Sequence, residues 1–468
     1  MTAVSEPTVS GSRAPHPLGS RLLDAGIVVF TISMVFYVGF ILLHPAARWM
    51  DPVDLYVYRE GGLIVRHITP LYHKHALAPL YNWHGHSLQF TYPPFAALVF
   101  TIFTLTFFEH VAKAWIAVNI ATLLATIWIT FGGLGYRRGS ARVGGTLLLA
   151  AVLFWTEPVQ RTVYLGQIEL ALMLLIIWDQ CQPDSRWWKG AGIGIAAGIK
   201  LVPLIFIPYL VLTRRFRQAA VASGVFAATV LAGFVVLPGD SREWWLDGLF
   251  VKGTRTGFVG WEGNQSLFGI ITRFVGSTSG AQPIYLVVAA VTVLVGLTCA
   301  AAIDRAGHRM AGLLTCALTG LLASPISWDH HWVWIVPGVV LIAHYAVRAR
   351  SAARWALASL GAAIVILFGA WPGFLWGEPK DLGFFSEGLI WAPPNTNPYT
   401  YFKHGDKPRN VEYHWHGYQL IVGNLYVLIG IALLLLLVGF AVRAVRVSAR
   451  QDSPAGDLRP KSAISAHR

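Results

Sequence analysis

The sequence predicts an all-α integral membrane protein with about 10–12 transmembrane helices, re-entrant or juxtamembrane pieces and long outer loops. Three observations carry this. The 468 residues are 55% hydrophobic, with a mean hydropathy of +0.55. Only 13% are charged, against about 25% in a soluble domain. Nineteen Trp and sixteen Tyr suffice to furnish aromatic belts at both membrane interfaces.

Apolar runs lie at 26–43, 111–131, 143–155, 168–178, 219–237, 284–302, 311–322, 332–347, 355–370 and 420–442. Several fall short of the ~20 residues a helix needs to span unaided. Two further apolar pieces are 95–107 and the pair 191–199 and 201–212. Basic residues orient the runs. Arg13 and Arg21 precede the first; Arg137, Arg138 and Arg142, then Arg186 and Lys189, then Arg214, Arg215 and Arg217 form later clusters. Arg305 with Arg309, Arg348 with Arg350 and Arg354, and Arg443 with Arg446 and Arg450 complete the set. The positive-inside bias puts all of them in the cytoplasm. Loops 44–94, 238–282 and 371–417 then face outside, with turns at 156–166 and 323–331. The count of crossings closes only if 95–107 and 191–212 are re-entrant hairpins, the second turning at Lys200; otherwise the early arginines break the rule. The expected division is a cytoplasmic tail at 1–21, a transmembrane catalytic domain at 22–445 and a disordered basic cytoplasmic tail at 446–468.

The net charge of +13 lies largely in short loops and the C-terminal tail, where orientation explains it without a nucleic-acid partner. It also suits membrane lipids with anionic headgroups. Cys181, Cys299 and Cys316 sit in or beside apolar runs, so neither a disulfide framework nor a zinc motif is expected. The polar start of the chain and the length of the first run predict an uncleaved anchor.

The distinctive polar residues gather on the outer face. A transporter would concentrate them near the midplane, so a site at the outer interface is expected. Asp54 follows the first apolar run. It is three residues after Asp51, on one face if the segment is helical. Paired carboxylates raise one pKa, which suits a general base. Asp51 before Pro52 equally fits a helix cap. Lys200 lies between two apolar half-segments with no acid near it in sequence, and should face a cavity or an anion such as a lipid phosphate; a lysine snorkelling from a cytoplasmic helix end is the alternative. His330 and His331 open a helix after Ser324-Pro325, where imidazole donors favour anions, with Asp329 able to orient one ring; an interfacial turn would also account for them. Gly263-Asn264-Gln265-Ser266 offers amides suited to sugar hydroxyls, or a helix-capping loop. Asp51, Tyr58, Arg59, Tyr92, Gln167, Arg255, Asn264, Gln265 and Trp328 are the candidates for sugar and acceptor contact. Glu169, in an apolar run, is expected to face a cavity. The His-x-His pairs (73 and 75, 84 and 86, 414 and 416) lack spaced acid or thiolate companions, and a wet carbohydrate-facing loop explains them without a metal.

Asp54-Leu55-x-Val57-Tyr58, Pro70-Leu71-Tyr72, Phe90-Thr91-Tyr92-Pro93-Pro94, Gly166-Gln167-Ile168, Gly198-Ile199-Lys200-Leu201-x-Pro203 and Asn264-Gln265-Ser266 occur in that order. The ordered series resembles the actinobacterial GT-C glycosyltransferases of family 87, over roughly residues 22 to 445. The resemblance implies a metal-independent transferase with no cofactor, using a polyprenyl phosphate sugar on the outer side of the plasma membrane. It implies that Asp54 is the general base and that Lys200 meets the donor phosphate. The family often has Asn where this chain has Glu169, which leaves any sugar-binding role there in doubt. The expected activity is inverting transfer of mannose in α-(1→2) linkage to a lipid-anchored mannoside, a phosphatidylinositol mannoside or lipomannan. An arabinofuranosyltransferase fed by polyprenyl phosphate arabinose, and a polyprenyl-lipid flippase, are the alternatives.

Overall fold

The computed structural model describes residues 17–43, 51–67, 69–72, 89–251, 257–372, 387–395 and 410–452. Among them the chain is helical, with only isolated two-residue β-bridges. The first helices are α1 (Pro17–Leu43), α2 (Val53–His67), α3 (Pro94–Phe100), α4 (Phe108–Gly133), α5 (Ser140–Leu153), α6 (Glu157–Leu165), α7 (Glu169–Gln180), α8 (Ala191–Ile199), α9 (Phe206–Leu212) and α10 (Phe216–Val236). After the short α11 (Pro238–Ser241) come α12 (Leu267–Val275), α13 (Thr278–Arg305), α14 (Arg309–Ala323), α15 (Ile335–Arg348) and α16 (Ser351–Leu367). A turn of helix, α17 (Tyr418–Val422), precedes α18 (Leu425–Asp452).

Six of these segments are long and apolar enough to cross a membrane, or seven if the bent α6–α7 pair is one span. Other apolar runs fold as shorter helices, including α5, α14 and α16. Lipid exposure fits: Ile32, Val35 and Leu42 on α1 and Val287 and Leu294 on α13 are more than 60% exposed. Apolar side chains turned outward lose nothing in hydrocarbon, so packing between helices rests on close approach of small residues. At the α1–α5 contact a Cβ on Gly26 would meet the Gly144 carbonyl oxygen at 2.5 Å.

The basic clusters lie together in space. Near the start of α1, Gly19 touches Ser140 at the start of α5. Arg348 donates to the Tyr136 hydroxyl at 2.9 Å. Arg215 forks onto Asp304 at 2.6 and 2.9 Å, and Arg309 reaches Asp184 at 2.6 Å. His308 packs on Phe440 near the end of α18. One end of the bundle therefore carries the arginines, as the sequence predicts, and residues 51–54, 166–167 and 329–331 lie at the other.

The expected hairpin at Lys200 forms. Gly190, just before α8, donates to Asp179, and Arg305 donates to the Leu212 carbonyl at the end of α9. Both ends of α8–α9 thus sit on the basic face, and the chain doubles back at Lys200. The 95–107 piece likewise stays at the site face as α3 and a 3-10 turn, Thr101–Thr104. Pro94 abuts Gly233 near the top of α10, and Arg59 donates to the Thr106 carbonyl.

Two boundaries differ from expectation. Residues 156–166 form helix α6 rather than a turn, because Pro158 suits a first helical turn and Gly166 supplies the left-handed cap (φ 71°). The last helix runs past residue 446 to Asp452, since Ala, Val and Arg there are adequate helix formers.

Candidate functional site

Asp54 sits in the first turn of α2, behind Pro52. The backbone N–H of Asp51 donates to the Tyr164 carbonyl at 3.1 Å, pinning the start of α2 to the end of α6. The helices touch at Gly166, where a Cβ would lie 2.6 Å from that of Leu55. This close approach brings Gln167 to Asp54. The Gln167 amide donates to the Asp54 carboxylate, while its Oε1 accepts from the Tyr58 hydroxyl at 2.6 Å. Tyr58 in turn meets the Tyr92 hydroxyl at 3.0 Å and stacks on Phe100 at 4.4 Å. Asp54 itself is half-buried. Removal from water pushes its carboxyl up to about 6; His330, the Gln167 amide and Lys200 pull back, and Glu169 adds to the rise. A carboxylate so placed is a base adjusted toward neutral pH.

Lys200 is extended (φ −144°, ψ 132°) at the break between α8 and α9. Its ammonium donates to Glu169 Oε1 and to His331 Nε2 at 2.8 Å, with the Tyr92 ring 5.9 Å away. Glu169, thirty-one positions earlier, is the acid that sequence proximity did not reveal. Two of the three ammonium protons are used, so one remains for a ligand. His330 and His331 lie in a 3-10 turn, Asp329–Trp334, ahead of α15. His331 is turned to Lys200. His330 donates Nδ1–H to Asp329 Oδ1 at 3.0 Å, and its buried Nε2 has no hydrogen-bond partner among the described residues.

Behind Asp329 lies a buried polar layer that sequence inspection missed. Arg161 of α6 approaches Asp329 Oδ2 at 3.4 Å and covers the Trp391 ring at 4.8 Å. Glu157 accepts from Trp391 Nε1 at 3.1 Å and from the Tyr426 hydroxyl at 2.9 Å. The signal was present as charged residues one helical turn apart in an apolar neighbourhood. Reading 156–166 as a turn concealed it.

Lys200, Glu169 and His331 head a mainly apolar groove that is partly open to the outside. Leu172, Ile176, Pro203, Phe206, Leu321 and Trp334 are among the side chains that wall it. A polar head at Lys200 and an apolar tail along the groove describe an amphipathic ligand.

Hydrogen bonds, a ring contact and charge link Asp54, Tyr58, Tyr92, Gln167, Lys200, His330 and His331 into one cluster. Asn264 and Gln265 do not join them, which corrects the expectation of sugar contact. Both are fully buried. Asn264 donates to Val259 and Pro325 carbonyls and accepts from Ser327 N–H. Gln265 donates to Glu262 and Gly423 carbonyls and accepts from Tyr426 and Val427 N–H. Ser266 caps α12 by accepting from Gly269 N–H. The capping alternative therefore describes this loop. Trp328 pairs with Asn264 through a β-bridge and packs against Trp261 at 5.6 Å. Arg59 points along α2 to Glu60 and Thr106. Asp51 contributes its backbone to the α2–α6 junction. Arg255 and the histidines at 73, 75, 84 and 86 lie outside the described residues. His414 and His416 are exposed.

A half-buried carboxylate of raised pKa and a part-buried ammonium at the head of an apolar groove lie within an all-α membrane protein. Comparison with known proteins makes the class specific. Glycosyltransferase family 87 matches residues 90–325, and the chain belongs to that family. It is a glycosyltransferase. A Mycobacterium tuberculosis protein named polyprenol-phosphate-mannose-dependent alpha-(1-2)-phosphatidylinositol pentamannoside mannosyltransferase is 37% identical over 72% of this chain and 76% of its own. Its namesake from Mycolicibacterium smegmatis is 35% identical over 72% of this chain and 80% of its own. A second M. tuberculosis protein, a polyprenol-phosphate-mannose-dependent alpha-(1-2)-phosphatidylinositol mannoside mannosyltransferase, is 30% identical over 69% of this chain and 73% of its own. No solved structure matches the chain.

Proposed function

We propose that this glycosyltransferase moves mannose from polyprenyl phosphate mannose to a phosphatidylinositol mannoside or related lipid-anchored mannoside, in α-(1→2) linkage with inversion, on the outer face of the plasma membrane. The observation that carries the proposal is a carboxylate of raised pKa, Asp54, within electrostatic reach of the Lys200 ammonium that heads an apolar pocket. The names of the mycobacterial relatives supply the sugar and the acceptor. Support for the outer side comes from the arginine clusters, which gather at the opposite end of the bundle and which the positive-inside bias puts in the cytoplasm.

In this mechanism the polyprenyl chain lies along the groove and its phosphate takes the remaining Lys200 N–H. Asp54 removes the proton from an acceptor hydroxyl. The oxygen forms a bond to the anomeric carbon as the bond from that carbon to the phosphate oxygen breaks. The bonding pair leaves with the polyprenyl phosphate, whose negative charge grows. Lys200 stabilises that charge in surroundings poor in water, where such a donor counts most. His331 and Glu169 hold the ammonium in position. The leaving group is stable as an anion, so no general acid is required.

The test is incubation of purified protein with radiolabelled polyprenyl phosphate mannose and a panel of lipid mannosides. Transfer to a mannoside, with linkage and anomeric configuration determined on the product, is expected. Turnover only with polyprenyl phosphate arabinose, or carrier sugar left intact in every mixture, would overturn the assignment.

A further inference from the structure

Three ligand-bearing side chains cluster beside Lys200, two of them bonded to its ammonium. Glu169, His330 and His331 are all buried, and each offers a ligand atom within 4.8 Å of the others. Two imidazoles and one carboxylate are a donor set for a divalent transition metal. Ligand atoms around such an ion lie about 3.3 Å apart, given metal–ligand bonds near 2.0–2.1 Å. His331 Nε2 and Glu169 Oε1 are already 3.4 Å apart.

The ammonium of Lys200 is bound to both of those atoms. Two more ligand atoms of the group, Glu169 Oε2 and His330 Nε2, are buried without a hydrogen-bond partner among the described residues. Their side chains are only 7% and 6% exposed. His330 also has the outer carboxylate that metal-binding histidines use. Its Nδ1–H donates to Asp329, which fixes the tautomer and leaves the Nε2 lone pair free.

We propose that Glu169, His330 and His331 form a divalent-cation site which the protein fills with its own Lys200 ammonium. The lysine thereby supplies the positive charge that a metal would otherwise bring to the site. An ammonium has three donors in tetrahedral array, and two of them take the Glu169 and His331 ligand atoms that would bind an ion. Being covalently held, it cannot be lost by chelation. Removing it leaves a carboxylate and two imidazoles facing one another with no cation among them. The cation site stands on this geometry alone; only the meeting of the ammonium with a donor phosphate rests on the transferase proposal.

The experiment is titration of full-length, detergent-purified Lys200→Ala with Co²⁺, followed by visible d–d absorption, with Zn²⁺ as competitor. One equivalent of Co²⁺ should bind with the absorption of a low-coordinate N/O site, and Zn²⁺ should displace it. The unsubstituted protein should take up none at the same concentrations. Adding Glu169→Gln or His331→Ala to Lys200→Ala should weaken binding at least tenfold. Lys200→Met keeps the stem of the lysine and serves if the alanine variant fails to fold. A folded, monodisperse Lys200 variant that binds no Co²⁺ would sink the proposal. So would equal binding by the unsubstituted protein, or binding unaffected by the second substitution, which would locate the ion elsewhere. Because the readout is metal uptake, a failure here is separable from a failure of mannosyl transfer.

Discussion

The base role proposed for Asp54 rests on its carboxyl, pushed up to about 6 by burial beside His330 and Lys200. A protonated carboxyl cannot accept a proton, so kcat/KM should rise with pH through about 6 and level off above it. Stability runs the other way. The folded protein binds this proton more tightly than the unfolded chain, so the Asp54 contribution favours folding below its unfolded pKa and is lost as pH rises past about 6. Asp54→Asn should therefore abolish transfer while keeping donor binding, and should melt above the unsubstituted protein at pH 8, with the gap closing toward pH 4. Thermal melts and turnover on one preparation check both. Full turnover in Asp54→Asn would remove it as the base. Lys200→Ala should weaken donor binding and lower kcat by roughly 10²-fold, the usual cost of one donor to a developing anion. Donor binding at the original affinity would show that the phosphate lies elsewhere.

Among the elements, the α6–α7 elbow decides the site. It bends by 117°, and its hinge glycine has φ 71° with Leu55 against it. Gly166→Ala adds a methyl where none fits and forces a left-handed alanine, at about 1–2 kcal/mol before any clash. The variant should melt lower and lose transfer, because α2 must move away and Gln167 with it. Unchanged turnover would mean that the Asp54–Gln167 contact does not set the base. The loop at 263–266 matters differently. Asn264→Ala strips buried carbonyls and an N–H of their partners, at about 1–3 kcal/mol for each group left unpaired. It should reduce stability with little change in the donor KM of the protein that remains folded.

For the whole molecule, the gathering of arginines at one end and of the site at the other makes orientation testable. Cysteine at Arg138 should be labelled by an impermeant reagent only from the inside of the cell. Cysteine at His416 should be labelled only from the outside. Both positions are exposed. Labelling of Arg138→Cys from outside would reverse the protein and with it the side on which transfer occurs. The same long-range arrangement places the basic clusters together, as the charge pattern expects. Each cluster follows or precedes a helix, and α8–α9 and the α3 segment turn back before crossing.

Membrane residence, helical class and family membership were legible in the sequence. Hydropathy runs, arginine positions and short ordered motifs are local properties, and the bilayer acts on each segment separately. What the tertiary structure alone decided is which groups meet. Glu169 and Lys200 are joined by the α7–α8 reversal, His331 arrives from beyond α14, and the Arg161–Asp329 contact spans α6 and the turn before α15. The amides at 264 and 265 show the same limit in reverse: their chemistry fits a sugar, but burial against backbone carbonyls consumed it. A polar side chain announces what it can bind; only the packing of distant helices fixes whether a ligand or the protein's own backbone takes those bonds.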